Sequence, residues 1–257
     1  HPFDDPKVIA GQGTIGLEIL EQMPDVEAVI VPIGGGGLIS GVAYAIKTLR
    51  PEIKVYGVQS SGAPSMARSL QEGHITHLSN VSTIADGIAV KEPGINTFEM
   101  VNKYVDEVVT VSDDEIAAAI LMLLETQKVV SEGAGAVSVA AAMFNKVPIK
   151  GKKTVCLVSG GNIDVNTLNR VINRGLAKSG RRYTFIIDLD DKPGQLSGVC
   201  NVIGQEGGNI ISVTHERINA SSEINGCTIR MEVETRDTSH IESIRSTLTA
   251  NGYKVLN

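Results

Sequence analysis

The run Gly34-Gly35-Gly36-Gly37-Leu38-Ile39-Ser40-Gly41 stands where a β-branched stretch hands over to a helical period. Consecutive glycines let backbone N–H groups turn inward around an anion, and the helix that follows adds its positive end. Four glycines in a row cost too much chain entropy for a mere packing turn, so a phosphate group is the natural guest. No Gly-Lys-Ser/Thr follows, which excludes a nucleotide P-loop. Val158-Ser159-Gly160-Gly161-Asn162 forms a second strand-to-helix junction, the kind of place where α/β sheets hold ligands. The Ser159 hydroxyl can donate or accept; a ligand contact and a helix cap are both open to it.

Other chemically suggestive residues carry less. Gly11-Gln12-Gly13-Thr14-Ile15-Gly16 matches G-x-G-x-x-G in form. The strand before it would span only Val8 to Ala10, and no acidic residue ends the next strand, so the glycines read better as opening a helix through Leu17 and Leu20. His74 and His77 have an i, i+3 spacing without a Cys, Asp or Glu cluster and read as surface residues. Asp113, Asp114 and Glu115 are acids in a first helical turn, favourable to the helix dipole. Arg181-Arg182 reads as a solvated pair in a linker.

Strands and helical periods alternate around these junctions. Val26 to Ile33 reads as a buried strand, Leu38 to Leu49 as a helix stopped by Pro51, and Lys54 to Gln59 as the next strand, a βαβ unit. Ser112 and Glu115 make a capping box for a helix carrying Ile116, Ile120, Leu123 and Leu124. Gly133 to Phe144 reads as a buried helix, Thr154 to Val158 as a strand and about Val165 to Lys178 as a helix. The predicted class here is α/β with a mainly parallel sheet. Beyond the polar linker Lys178 to Arg182 the pattern changes. It becomes strand Tyr183–Leu189, helix Gln195–Gln205, strands Asn209–Ile218 and Thr228–Thr235 joined through Asn225-Gly226, helix Ser239–Ala250 and strand Tyr253–Leu256. That order, βαββαβ, is ferredoxin-like. The expected domains are therefore 1–178 and 183–257, with 179–182 between them.

Composition sets the bounds. At 257 residues the chain holds one large or two smaller domains. Its 42% hydrophobic residues support a buried core, and its 27 glycines exceed the usual share of about 7%. The net charge is −6 and no basic block occurs, so nucleic acid is excluded as the main partner. The 3 cysteines, Cys156, Cys200 and Cys227, are scattered and read as small buried hydrophobes in a reducing compartment, with the cytoplasm as the expected location. Ala28 to Ile46 lacks charge over a membrane-span length, but Pro32 and its glycines argue for strand, loop and helix instead. No signal peptide and no initiator Met is present; the opening His1-Pro2-Phe3 suggests a piece of a longer chain.

Taken in order, these junctions resemble the pyridoxal-phosphate enzymes of fold type II, and within them the threonine dehydratase (threonine ammonia-lyase) family in the form with a C-terminal ACT domain. The residues carrying the resemblance include His1-Pro2-Phe3-Asp4, Gly11-Gln12-Gly13-Thr14, Gly34 to Leu38, Thr83 to Val90, Ser131-Glu132-Gly133-Ala134-Gly135-Ala136 and Ser159-Gly160-Gly161-Asn162. In the second domain they are Asp191-Lys192-Pro193-Gly194-Gln195-Leu196 and Gly207-Gly208-Asn209-Ile210.

The resemblance implies pyridoxal 5'-phosphate as cofactor. Gly34, Gly35, Gly36, Gly37 and Leu38 would hold its phosphate and Ser159 its pyridine nitrogen; Gly87 would line the substrate side of the ring, with Glu132 nearby. A neutral serine would not keep the nitrogen protonated, which favours elimination. The implied reaction begins from a lysine Schiff base, exchanged for the substrate amine. It removes the α-proton and the β-hydroxyl of L-threonine, and of L-serine, and yields 2-oxobutanoate or pyruvate and ammonia. The family's Ser-Phe-Lys lysine and Ser-Gly-Asn carboxylate loop are expected upstream of His1, so these 257 residues alone are expected to be inert. Some relatives hold a divalent metal after the strand that here ends at Val58; Gln59, Ala63 and Ser65 offer no carboxylate, and no metal is expected.

For the ACT part the resemblance implies a dimer or tetramer. Pro193, Gly194, Gln195 and Leu196 would form a loop facing a partner subunit, with Asn209 opposite, and an amino-acid effector such as isoleucine or valine would give feedback control in isoleucine biosynthesis. An ACT fold kept only for assembly remains open. So do a serine dehydratase or racemase of the same fold, and a non-catalytic amino-acid sensor.

Overall fold

In a computed structural model, residues 1–217 and 226–257 are described, and the chain divides into unit 1, His1–Ile172, and unit 2, Asn173–Asn257. Unit 1 begins with α1 (Pro6–Gln22), β1 (Ala28–Pro32), α2 (Gly37–Leu49), β2 (Lys54–Ser60) and α3 (Ser65–Glu72). It continues through a 3-10 turn at Asp86–Ile88 to α4 (Ile95–Tyr104), β3 (Glu107–Val111), α5 (Asp113–Met122), α6 (Gly133–Met143) and β4 (Thr154–Cys156). Helix α7 (Val165–Lys178) crosses the division between the units.

The strands of unit 1 form a sheet ordered β3-β2-β1-β4, every pair parallel. β1 is buried along its whole length, as a strand covered on both faces must be. The uncharged stretch 28–46 resolves into β1, a glycine loop and most of α2, and among the described residues no helix is long and apolar enough to cross a membrane. Helix α5 starts with the Ser112/Glu115 capping box and passes into a π-helical turn at Leu123–Gln127.

In unit 1 the reading of the first glycine motif fails. Gly11, Gly13 and Gly16 do not open a helix; they lie inside α1, which starts at Pro6 with the Asp5 side chain accepting from Lys7 N. Packing is the reason Gly13 and Gly16 lack side chains, whereas Gly11 has open space around it. A Cβ on Gly16 would lie 2.9 Å from the Val42 carbonyl oxygen, and one on Gly41 only 2.2 Å from that of Ile9. The backbones of α1 and α2 therefore nearly touch, and contact of that quality offsets the poor helix propensity of glycine. The histidine pair is exposed as expected, His77 facing Glu92 at 3.1 Å.

Cys227 is buried, whereas Cys156 and Cys200 are only partly so. On β4, burial pushes the Cys156 thiol from about 9 up to about 11. Between those values the unfolded chain has released a proton that the folded protein retains, so stability falls as pH rises through this window. The full shift corresponds to roughly 2–3 kcal/mol. Urea unfolding at about pH 7 and about pH 10 should show about half of that loss, roughly 1.4 kcal/mol, and Cys156→Ala should reduce it.

Unit 2 holds β5 (Arg182–Asp190), α8 (Gln195–Gln205), β6 (Asn209–Glu216), β7 (Gly226–Glu234), α9 (Thr238–Ala250) and β8 (Lys254–Val255). The sheet order β6-β7-β5-β8 is antiparallel throughout, the βαββαβ arrangement. Phe185, Ile187, Ile229, Met231 and Val233 point to one face and form a core with Val199, Ile203 and Ile244 of the helices. Asn225 and the end of the strand expected to reach Ile218 lie outside the described residues. Arg182 is no solvated linker residue: it opens β5 and pairs with Glu232 at 2.9 Å.

Candidate active site

The glycine loop leaves the carboxyl end of β1 and runs into α2, with Gly36 at φ +97°. Among the described residues no acceptor meets the amides of Gly35, Gly36, Gly37 and Leu38, so they point as an unpaired set at the start of a helix, where an anion is favoured. The loop is pinned from behind. Thr97, fully buried on α4, donates its hydroxyl to the Gly35 carbonyl at 2.6 Å and to that of Gly94 at 3.2 Å. Asp4 accepts from Ile95 N and Thr97 N, both at 3.1 Å, capping α4 from far away in sequence. Thr97→Val leaves the buried Gly35 carbonyl short of its partner and should lower stability by about 1–3 kcal/mol. Thr97→Ser should stay near the parent in the same urea titration.

Ser159 follows β4 on the neighbouring strand end. It caps nothing, because α7 starts at Val165 and the Asp164 carboxylate takes the amides of Asn166 and Thr167 at 2.9 and 3.0 Å. The Thr167 side chain first, and then those amide bonds, hold the Asp164 carboxyl below its ordinary range. The Ser159 side chain has no partner among the described residues and lines the cavity beside the glycine loop. Glu132, at the N-terminus of α6, accepts from Asn162 N at 3.0 Å, and its other carboxylate oxygen lies where a Cβ on Gly160 or Gly87 would fall, 2.3 and 3.3 Å away. It therefore ties the Ser159–Asn162 loop to the start of α6 and lies close to Gly87.

Gly34, Gly35, Gly36, Gly37, Leu38, Gly87, Glu132 and Ser159 all line one cavity of about 410 Å³. Two residues behind it were invisible as site residues in the sequence. One is Thr97. The other is Asp113, read as a helix-end acid, whose carboxylate takes the Thr83 hydroxyl at 2.6 Å and Ile84 N at 3.2 Å, anchoring the segment that leads to Gly87. Only the Ser112 and Glu115 pattern beside Asp113 was a visible signal. A larger, open apolar groove of about 580 Å³ between α1, α2 and α4 has no such set of unpaired amides.

In unit 2, Pro193, Gly194, Gln195 and Leu196 line a cavity of about 370 Å³ with Asp191, His215 and Cys227. Asn209 is not part of it; its side-chain amide donates to Glu234 at 2.8 Å.

Unit 1 is thus a parallel α/β unit with an anion cradle and an unpaired hydroxyl at adjacent strand ends, the construction of an enzyme that holds a phosphate-bearing cofactor. The family model "Pyridoxal-phosphate dependent enzyme" matches residues 1–161, and the chain belongs to that family. It is 54% identical over 255 residues to an L-threonine ammonia-lyase of Thermotoga maritima, covering 99% of this chain and 63% of that protein. It is 52% identical over 172 residues to a catabolic L-threonine dehydratase of Escherichia coli, covering 66% of this chain and 52% of the relative. Among solved structures it resembles the processed form of threonine deaminase isoform 2 from Solanum lycopersicum, with TM-score 0.64 and 44% identity over 68% of this chain and 51% of that one. Maize serine racemase gives TM-score 0.62 and 39% identity over 69% and 55%. The chain thus spans less than two thirds of the length of these relatives.

The cavity fits the family's cofactor. Glycines keep the loop open to a phosphate, and among the described residues its amides lack acceptors and a neutral hydroxyl without a partner stands on the adjacent strand end.

Proposed function

We propose that the full protein deaminates L-threonine, and L-serine with it, to 2-oxobutanoate or pyruvate and ammonia with pyridoxal 5'-phosphate. The observation that carries this reading is the gathering of Gly34–Leu38, Gly87, Glu132 and Ser159 around one cavity. Identity of 54% to an L-threonine ammonia-lyase along 99% of the chain supports the choice of substrate.

In this reading the amides of Gly35 to Leu38 bind the phosphate, and Ser159 hydrogen-bonds the ring nitrogen without placing a full charge against it. Glu132 holds the Ser159 loop in register, and Gly87 leaves room for the amino acid. The bound cofactor supplies an electron sink for the α-carbon of the substrate. A neutral partner at the ring nitrogen keeps that sink weak, which favours rapid loss of the β-hydroxyl over long-lived carbanion chemistry. Among the described residues no lysine lines the cavity, so the reacting amine is assigned to a part of the protein outside this sequence.

Unit 2 is read as an ACT-type regulatory domain. Pro193 to Leu196 would face a partner copy and Asn209 would lie opposite, in a cytoplasmic dimer or tetramer controlled by isoleucine or valine. The βαββαβ order of the unit supports this assignment.

The test uses the full-length protein. A cofactor absorbance that L-threonine discharges with release of ammonia is the expected result, and isoleucine or valine added to the same cuvette should change the rate. Interconversion of serine enantiomers without ammonia would favour a racemase, the activity named for the maize relative. A colourless protein that binds amino acids would replace the lyase reading with a sensor.

A further inference from the structure

Asp191, His215 and Cys227 stand on three separate elements, which is why their spacing in sequence carries no metal-ligand pattern. In unit 2 they offer one ligand atom each, all within 4.8 Å of one another. The sheet register brings this about. Cys227 lies opposite Leu189 on β5, and His215 lies opposite Ile229 on β7. Directly paired residues share a face, as do residues two apart on one strand, so Cys227 and His215 point to the same side. Asp191 follows two residues after Leu189, where β5 gives way to the loop.

The surroundings leave these donors available. Cys227 is 2% exposed, while the His215 and Asp191 side chains are 32% and 35% exposed, so the set has a fixed floor and an open mouth. The two carboxylate oxygens of Asp191 have different neighbours. One faces Arg217 Nε at 3.1 Å, and the other lies 4.0 Å from His215 Nε2, too far for a hydrogen bond. Among the described residues neither the His215 ring nor the Cys227 thiol has a hydrogen bond, and the cysteine is free of any disulfide.

We propose that Asp191, His215 and Cys227 bind a divalent transition metal, with zinc as the fitting ion. One imidazole, one thiolate and one carboxylate are the mixed donors that zinc accepts, whereas calcium and magnesium call for oxygen alone. Bonds of about 2.0–2.3 Å place tetrahedral ligands roughly 3.3–3.8 Å apart. The donors must therefore close by about 1 Å, a movement open to the two exposed side chains while Cys227 stays in place. Arg217 keeps the second oxygen of Asp191 and orients the first, as partners of metal-bound carboxylates do. Cys227 binds as the thiolate and its proton leaves to solvent. The fourth position is left to water. This assignment is independent of whether the cavity also takes an amino acid.

The 257-residue chain, stripped by chelator, is titrated with Co²⁺ and then Zn²⁺. One equivalent of Co²⁺ should produce a thiolate-to-cobalt charge-transfer band with tetrahedral ligand-field bands, and Zn²⁺ should bleach them. Cys227→Ser should abolish the charge-transfer band, while Cys200→Ser should leave it intact. Because Cys227 is buried, its variant could fail to fold. His215→Ala and Asp191→Asn, both at exposed side chains, then carry the test, and each should weaken binding at least about tenfold. Absence of the band at stoichiometric Co²⁺, its persistence in Cys227→Ser, or unchanged affinity in His215→Ala would overturn the site.

Discussion

Replacing Gly41 by alanine is expected to destabilise unit 1 by about 3 kcal/mol, the upper end for overpacking a tight interior. The new methyl would sit 2.2 Å from the Ile9 carbonyl oxygen and 2.6 Å from the Gly13 nitrogen. Both are backbone atoms of α1, so no side chain can rotate away and the two helices must separate. For a unit of this size the loss corresponds to a fall of roughly 6–12 °C in Tm. Gly11, on the same helix, is the control. A Cβ there meets nothing within 4 Å, so Gly11→Ala should add about 0.5–1 kcal/mol through helix propensity alone. A Gly41→Ala protein that melts with the parent would mean that α1 and α2 are not in backbone contact.

Gly36→Ala is expected to weaken cofactor binding by the full-length protein roughly 100-fold. At φ +97° the position disfavours any residue with a Cβ, at a cost of about 1–2 kcal/mol. The added methyl would also lie 2.8 Å from Thr97 Cβ and from Met66 Cε. Met66 can move, but Thr97 holds the Gly35 carbonyl and cannot yield without releasing the loop. Displacing one amide from a charged phosphate removes a further ~1.5–3 kcal/mol. The strain burdens the loop with or without cofactor, so the lost amide sets the affinity change, and its upper end of about 3 kcal/mol is about 100-fold at 1.4 kcal/mol per tenfold. Titrating the apoprotein with cofactor, with the melting of the same apoprotein measured alongside, separates lost affinity from lost stability. Unchanged affinity would remove the glycine loop from the proposed phosphate site.

Local chemistry was legible wherever neighbours in sequence decide the outcome. Ser112 and Glu115 face each other across one helical turn, so the capping box forms as written. Helix α8 spans Gln195–Gln205, as its apolar period and the Gly207-Gly208 stop indicate. The glycines at 34–37 and the hydroxyl at 159 were recognisable because each sits at a strand-to-helix junction, and both line the same cavity.

Meetings across space are a different matter. The glycines of α1 read as the opening of a helix because the reason for Gly13 and Gly16 lies on α2, where Gly41 and Val42 press against them. Thr97 drew no notice in the sequence, and Asp4 stood out only as part of His1-Pro2-Phe3-Asp4; only the approach of α4 to the glycine loop gives each a partner more than fifty positions away. Asp113 passed for a helix-end acid until the chain folded Thr83 against it. Asp191, His215 and Cys227 are brought together by strand register, which no single segment encodes. Periodicity, caps and turn residues act within a few positions along the chain and can be read from residue types. Which distant groups share a cavity depends on how strands are ordered and paired, and that is settled by burying all the apolar faces at once.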